Sequence, residues 1–287
     1  MSSAEIVWQI NIPEALDLAF IEANDIAIDP NGNIFVSDIA NSGVYKFDSS
    51  PQPVGIFQVD FSDQDDMRMP PSIAVAPDST FSIADPKNEG VTMYNEDGKY
   101  AGEYGVPGVV CLCQGPNYST LAMTSIDGCE HINIYDEFGS LVEIIPAPSR
   151  HRGMIDPAFV NMDCDSQGNM YVSYGMPPYR IWKIAPKGMN THTWTREFDY
   201  PEDAVLISDI AVDPGTGVVW ALLACRNYGR QMIDAFSPDG DFLGTVYIPQ
   251  ADKLFGLISA DSNSNLYLVD TGTGPGASDL LKLAVSF

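Results

Sequence analysis

The sequence predicts an all-β fold, a six-bladed β-propeller of four-stranded antiparallel blades closed by the N-terminal strand pairing in the last blade. Three observations predict it. A degenerate segment, best preserved as NDIAIDPNGNIFVSDIANSGVYKFD from Asn24 to Asp48, recurs six times along the 287 residues. The apolar residue after the first turn of each copy (Ile34, Phe81, Leu121, Met170, Val219, Leu266) recurs at steps of 47, 40, 49, 49 and 47 residues, the length of one four-stranded blade. Finally, the last copy stops after its third strand, while a strand-like segment stands without a local partner at the N-terminus.

Taken in order, IVWQINIP, from Ile6 to Pro13, resembles an outer strand and is expected to pair with Leu280 to Val285, leaving no large sheet edge open. Each unit then opens on an apolar run such as Ile26-Ala27-Ile28 or Ile210-Ala211-Val212, followed by a turn rich in Asp, Pro, Gly and Asn. A second run follows (IFVSD, FSIAD, LAMTS, MYVSY, VVWAL, LYLVD), and a third alternates apolar residues as a half-buried strand does (GVYKFD, GVTMYN, HINIYD, RIWKIA, QMIDAF, LLKLAV). VGIFQVD, YAGEYGVP, LVEIIPA, WTREFDYP and FLGTVYIP supply five fourth strands. The expectation is one propeller domain over residues 1–287, with blades near 24–60, 71–106, 109–147, 158–201, 207–249 and 255–287, and residues 1–13 as the closing outer strand of blade 6.

The string IDPNGNIFVSDIANSGVYKFD resembles the NHL repeat: an apolar residue, Asp-Pro-x-Gly-Asn, two apolar residues, Val-x-Asp, then Asn, Val and an aromatic. The first unit fits at nearly every position. Others keep Ala76-Pro77 and Asp85, Gly168-Asn169, Asp213-Pro214 or Asp270, and the third unit, with its CLCQGPNYST turn, departs most. The resemblance implies a propeller and, by itself, no chemistry. NDIAIDPNGNIFVSD is also similar to gluconolactonase-like propellers. That likeness implies a channel metal held by a Glu, an Asn and Asp residues, but their Glu-Gly-Pro triplet is missing here.

Fourteen Lys and Arg against 39 Asp and Glu give a formal charge of -25. A chain this poor in cations cannot build the basic face that releases counterions from phosphates, so no nucleic-acid partner is expected. The acidic surface suits solubility, a divalent cation or a basic protein partner. No stretch reaches the ~18 apolar residues of a membrane helix, and MSSAEIVWQINIP lacks the pattern of a signal peptide. Membrane insertion is therefore not expected, and synthesis in the cytoplasm is.

Catalytic propellers place their chemistry where the innermost strands line the channel. The residues that begin those strands read as Asn24-Asp25, Pro71-Ser72, Gly108-Val109, Ala158-Phe159, Ser208-Asp209 and Phe255-Gly256. Asn24, Asp25, Ser208 and Asp209 form the candidate channel site. They suit an oxygen-preferring cation, calcium or magnesium, or the capping of channel backbone groups, and capping is the favoured reading. Asp60, Asp63, Asp65 and Asp66 form a candidate calcium loop without the full ligand pattern of one, so a solvated acidic loop is the expectation. Cys111 and Cys113 share one strand face and Cys164 offers a conceivable third thiol ligand, yet without a C-x₂-C pair core packing is expected. His131, His151 and His192 lie too far from the inner strands for a three-His zinc site, and no G-x-S-x-G elbow occurs.

Together these readings lead to a non-catalytic NHL-like propeller that serves as a protein-interaction or structural module of a larger assembly, such as a virion or extracellular complex. No cofactor is required in this reading, and the partner is another protein. The alternative is a divalent-metal-dependent lactonase or hydrolase, with Asp25 and Asp209 among the ligands of a channel metal.

Overall fold

A computed structural model describes residues 3–59, 72–85, 89–126, 129–146, 160–174, 180–186, 195–197, 205–225, 231–249, 253–272 and 278–286. Among these, 24 strands form six four-stranded sheets arranged as a β-propeller, with β1 (Ser3–Asn11) pairing away from its sequence neighbours. Blade 1 runs β2 (Ala23–Ile28), β3 (Ile34–Asp38), β4 (Gly43–Phe47) and β5 (Pro53–Gln58). Blade 2 runs β6 (Ile73–Val75), β7 (Phe81–Asp85), β8 (Gly90–Tyr94) and β9 (Tyr100–Gly105). Blade 3 is β10 (Val109–Gln114), β11 (Thr120–Ile126), β12 (Cys129–Tyr135) and β13 (Leu141–Pro146). Blade 4 is β14 (Val160–Cys164), β15 (Met170–Tyr174), β16 (Arg180–Ile184) and β17 (Thr195–Glu197). Blade 5 is β18 (Val205–Val212), β19 (Val219–Cys225), β20 (Gln231–Phe236) and β21 (Phe242–Tyr247). Blade 6 combines β22 (Phe255–Ala260), β23 (Asn265–Asp270) and β24 (Asp279–Ser286) with β1, in the order β1-β24-β23-β22.

The closing pair aligns Ser3 with Ser286 and Asn11 with Asp279. Asp279 accepts from both Gln9 Nε2 and Asn11 Nδ2, and Lys253 Nζ lies 3.1 Å from Asp279 and 3.5 Å from Asp270. The outer strand stops at Asn11, two residues short of the Pro13 read from sequence. Asn11 accepts from the Glu14 backbone N–H and caps a single helical turn, α1 (Ile12–Leu16), with Pro13 in its first turn where a missing N–H costs nothing. That turn buries Ile12 completely and leads the chain from the closing blade into blade 1.

The strand-to-strand turns explain much of the Asp content. Asp29 accepts from the N–H groups of Asn31 and Asn33 and from Asn33 Nδ2; Asp165 and Asp261 repeat the arrangement with Gln167 and Asn169, and with Asn263 and Asn265. A short carboxylate that bonds backbone two and four residues on fixes a tight hairpin without a ligand. The Asp ending the second strand has a comparable task. Asp38 accepts from Glu22 N and Ala40 N, and Asp270 from Leu254 N and Gly272 N, tying the start of the innermost strand to the exit of its neighbour.

The core is not central. Six hydrophobic clusters fill the six seams between successive blades, including the seam that closes blade 6 on blade 1. β3 and β7, sandwiched between neighbouring blades, are buried at every position, whereas the outer strands β5 and β9 are mostly exposed. Phe35, Phe57, Phe81 and Tyr94 stack through the blade 1–blade 2 seam with centroids 5.0–5.7 Å apart. Phe57 lies directly over Gly98 and Tyr104 over Gly139, both glycines at positive φ, so any side chain there would collide with the aromatic ring of the preceding blade. No helix among the described residues is long and apolar enough to cross a membrane.

Deleting residues 1–11 removes one of four strands from the closing blade and leaves the apolar edge of β24 open. The truncated chain is expected to melt well below the full chain and to aggregate; equal melting temperatures would contradict this closure.

Candidate functional site

The innermost strand of each blade pairs on one side only, and its other edge faces the channel. Backbone N–H groups along that edge require partners or water. The six strands align on the residue three before the end of each strand: Asp25, Ser72, Cys111, Asn161, Asp209 and Leu257. In blades 3, 4 and 6 this register lies two, two and one residues beyond the second residue of the pair expected from sequence. One-residue bulges at Val110 and Gly256 shift two of these strands, and such a bulge leaves no trace in a periodic pattern. Bulges also occur at Asn24 and Ser208, beside Asp25 and Asp209.

Five of the six aligned side chains bond to the next blade. Asp25 Oδ1 accepts from its neighbour Ile26 N at 2.8 Å, while Oδ2 accepts from Ile73 N at 2.9 Å and Ser72 Oγ at 2.6 Å in blade 2. Ser72 Oγ accepts from Leu112 N in blade 3 at 3.0 Å. Met162 N–H of blade 4 donates to the Cys111 sulfur. Asn161 donates to the Ser208 carbonyl, and Asp163, two residues along, accepts from Cys164 N at 2.8 Å and from Val212 N of blade 5 at 2.7 Å. Asp209 repeats the Asp25 arrangement on Ile210 N (2.8 Å) and Ile258 N (2.9 Å). At the sixth seam the aligned residue is Leu257, which offers no such bond; the chain itself crosses that seam through α1, and the cluster of Ile12, Ile21, Tyr267 and Leu280 packs it.

These groups line one cavity of about 570 Å³ on the propeller axis, together with Asn24, Cys113, Cys164 and the turn residues Asp29, Asp165 and Asp261. Of the four residues singled out from sequence, Asn24, Asp25 and Asp209 lie on its wall. Asn24 Oδ1 accepts from Ile39 N in its own blade, and Ser208 meets its neighbour through its carbonyl. Asn161 and Asp163 were missed, because the start of the inner strand of blade 4 was placed at Ala158-Phe159, two residues too early. Asp60, Asp63, Asp65 and Asp66 lie outside the described residues, as do His151 and His192. His131 sits in β12, away from the axis.

Burial at the channel wall raises the Asp25 carboxyl to about 6, against the lowering effect of bonds from Ser72, Ile73 and Ile26. Burial raises Asp163 to about 7, with Asp25 and Asp165 adding repulsion after it. Asp209 is held well above the ordinary carboxylate range, first by burial and then by the charge of Asp25. The three carboxylates thus sense one another across the cavity.

No family model and no curated protein matches this chain. Among solved structures, the PQQ-bound aldose sugar dehydrogenase of Streptomyces coelicolor is similar at 14% identity and a TM-score of 0.65, over 100% of this chain and 99% of that one. The calcium-binding protein regucalcin of Agrobacterium tumefaciens is similar at 14% identity and TM-score 0.61, over 93% and 90%. Virginiamycin B lyase of Staphylococcus aureus follows at 11% identity and TM-score 0.61, over 99% of each. Identities this low establish the β-propeller fold and leave the activity open.

Two outcomes follow from the channel geometry. Asp25→Ala strands the Ile26 and Ile73 N–H groups and is expected to cost about 2–3 kcal/mol in denaturant unfolding; a loss within error of zero would refute the clamp. Because the folded values of Asp25 and Asp163 lie above the 3.8 of a free aspartate, their contribution is full below about pH 4 and is lost as pH rises through about 6 to 7. Thermal stability should therefore fall between about pH 4 and 7, with a shallower slope in Asp163→Asn. An unchanged slope in that variant would show that Asp163 is not among the groups responsible.

Proposed function

We propose that this chain is a non-catalytic NHL-like propeller that acts as a protein-interaction or structural module of a larger assembly. One observation carries the reading. The outer strand of blade 3 and the turn before it expose Phe138 (77%), Leu141 (50%), Val142 (64%) and Ile144 (54%) within seven residues. β13 ends its sheet, so its free edge carries backbone donors and acceptors beside this apolar surface. An exposed edge of this kind is a template for an added strand, and apolar side chains gathered on a monomer surface mark an interface. Glu137 stands beside the stretch, Glu143 within it, and the chain carries a formal charge of -25, so the fitting partner is an extended apolar segment with basic flanks. The channel supports the same reading, since its carboxylates already bind backbone across the blade seams.

A second reading has its own observation. Asp25, Asn161 and Asp209 occupy one register and face one cavity, and a hard divalent cation among them would relieve the mutual repulsion of the carboxylates. In that case the chain is a divalent-metal-dependent lactonase or hydrolase whose metal polarises a carbonyl.

Val142→Lys with Ile144→Lys changes only exposed positions. Cross-linking in the source cells is expected to join the wild type to a protein partner that the double variant no longer reaches, with unchanged melting. Equal cross-linking by both would remove blade 3 as the interface. Calcium- or magnesium-dependent lactone hydrolysis, abolished in an Asp25→Asn, Asp209→Asn variant that stays folded, would replace the first reading with the second.

A further inference from the structure

Four blade seams in this ring are stitched by carboxylates or a hydroxyl, and the seam at Leu257 by neither. Between blades 3 and 4 the groups at the channel wall are sulfurs. Cys111 accepts from Met162 N, Cys113 hydrogen-bonds with Cys164, and the Cys164 thiol donates to the Gln114 carbonyl. Cys113 and Cys164 are buried and free, and Asp163, next in sequence to Cys164, shares their neighbourhood. The two Sγ atoms and a carboxylate oxygen lie within 4.8 Å of one another, the one such group of three His, Cys, Asp or Glu ligands among the described residues.

We infer that Cys113, Cys164 and Asp163 form a binding site for a thiophilic divalent cation of the zinc class, bridging blades 3 and 4. A tetrahedral zinc ion with Zn–S near 2.3 Å holds its ligand atoms about 3.5–3.8 Å apart, so the present spacing closes on a metal with movements of about 1 Å. Asp163 Oδ1 and Oδ2 each accept one backbone N–H, and a carboxylate oxygen retains a second lone pair, so ligation does not require the clamp on Val212 to break. Two thiolates select zinc or cadmium over calcium and magnesium. All three residues line the axial cavity, which supplies the path in, room for a fourth ligand from solvent and an exit for the two thiol protons released on binding. Asp25 and Asp209 on the same wall add negative charge that favours a cation. The site is separate from the Asp25, Asn161 and Asp209 register in both ligand chemistry and depth, and does not rest on either reading of function. Its sequence signal was a third cysteine 51 residues beyond Cys113, one blade repeat away, a spacing that no local metal motif contains.

The test uses the reduced, metal-stripped full chain titrated with cadmium. The wild type is expected to take up one ion at this site, to develop the ultraviolet thiolate-to-cadmium charge-transfer band, and to melt at a higher temperature. Excess calcium should not displace the ion. Cys113→Ser with Cys164→Ser should lose that band and the melting shift while keeping the circular dichroism of the apo wild type. Cys111, Cys129 and Cys225 remain in that variant, so binding at those thiols would persist and be recognised. Asp163→Asn should weaken uptake while keeping the sulfur band. If the double variant fails to fold, Cys113→Ala and Cys164→Ala singly serve the same comparison. No band in the wild type, or an undiminished band without Cys113 and Cys164, overturns the site.

Discussion

A ring of β-sheets has an exposed inner edge on every blade, and the backbone groups along it are the constraint on which the rest of this structure depends. Side chains of one blade satisfy those of the next: Asp25 reaches Ile73, Ser72 reaches Leu112, Cys111 receives Met162, Asp163 reaches Val212 and Asp209 reaches Ile258. The bonds run in one direction around the axis. Seam packing through six apolar clusters supplies bulk stabilisation without direction, while the inner bonds fix how far each blade turns relative to its neighbour. Where the aligned residue is Leu257 the direction is broken, and that is the seam the chain itself crosses, through α1, from the closing strand β1 into blade 1.

Using carboxylates for this task has an electrostatic consequence. Three of them face a shared cavity, each short of solvent, so their protons are held more tightly than in an unfolded chain. The charged form accepts every bond offered to it, whereas a proton spoils one of them. Burial and mutual repulsion nevertheless dominate. The same residues that close the ring are therefore those whose charge a cation would stabilise, and it is this double capacity that makes both functional readings physical. The exposed apolar edge on blade 3 is independent of it, lying on the rim where no backbone clamp needs those side chains.

The architecture was legible because it depends on period. Repeats of 40 to 49 residues, alternating third strands and a missing final strand lead directly to six blades and an N-terminal closing strand, as the order β1-β24-β23-β22 shows. The site was legible only where no offset intervened. Asp25 and Asp209 stand four residues before the Asp-Pro turns at Asp29-Pro30 and Asp213-Pro214, but Asn161 and Asp163 sit in a unit whose inner strand carries no Asp-Pro turn to fix its register. Turn aspartates such as Asp29 and Asp261 were readable as hairpin formers, since their partners lie within four residues. Contacts about 50 residues apart, such as Cys113 with Cys164, belong to the ring and not to any segment of it.

Amide hydrogen exchange at the inner edge tests the clamp most directly. Ile73, Leu112, Val212 and Ile258, which lie on edges without a neighbouring strand, are expected to exchange as slowly as amides inside the blade ladders. Exchange as rapid as that of solvent-facing edge amides would contradict it, and would leave apolar seam packing alone as what holds the blades in register.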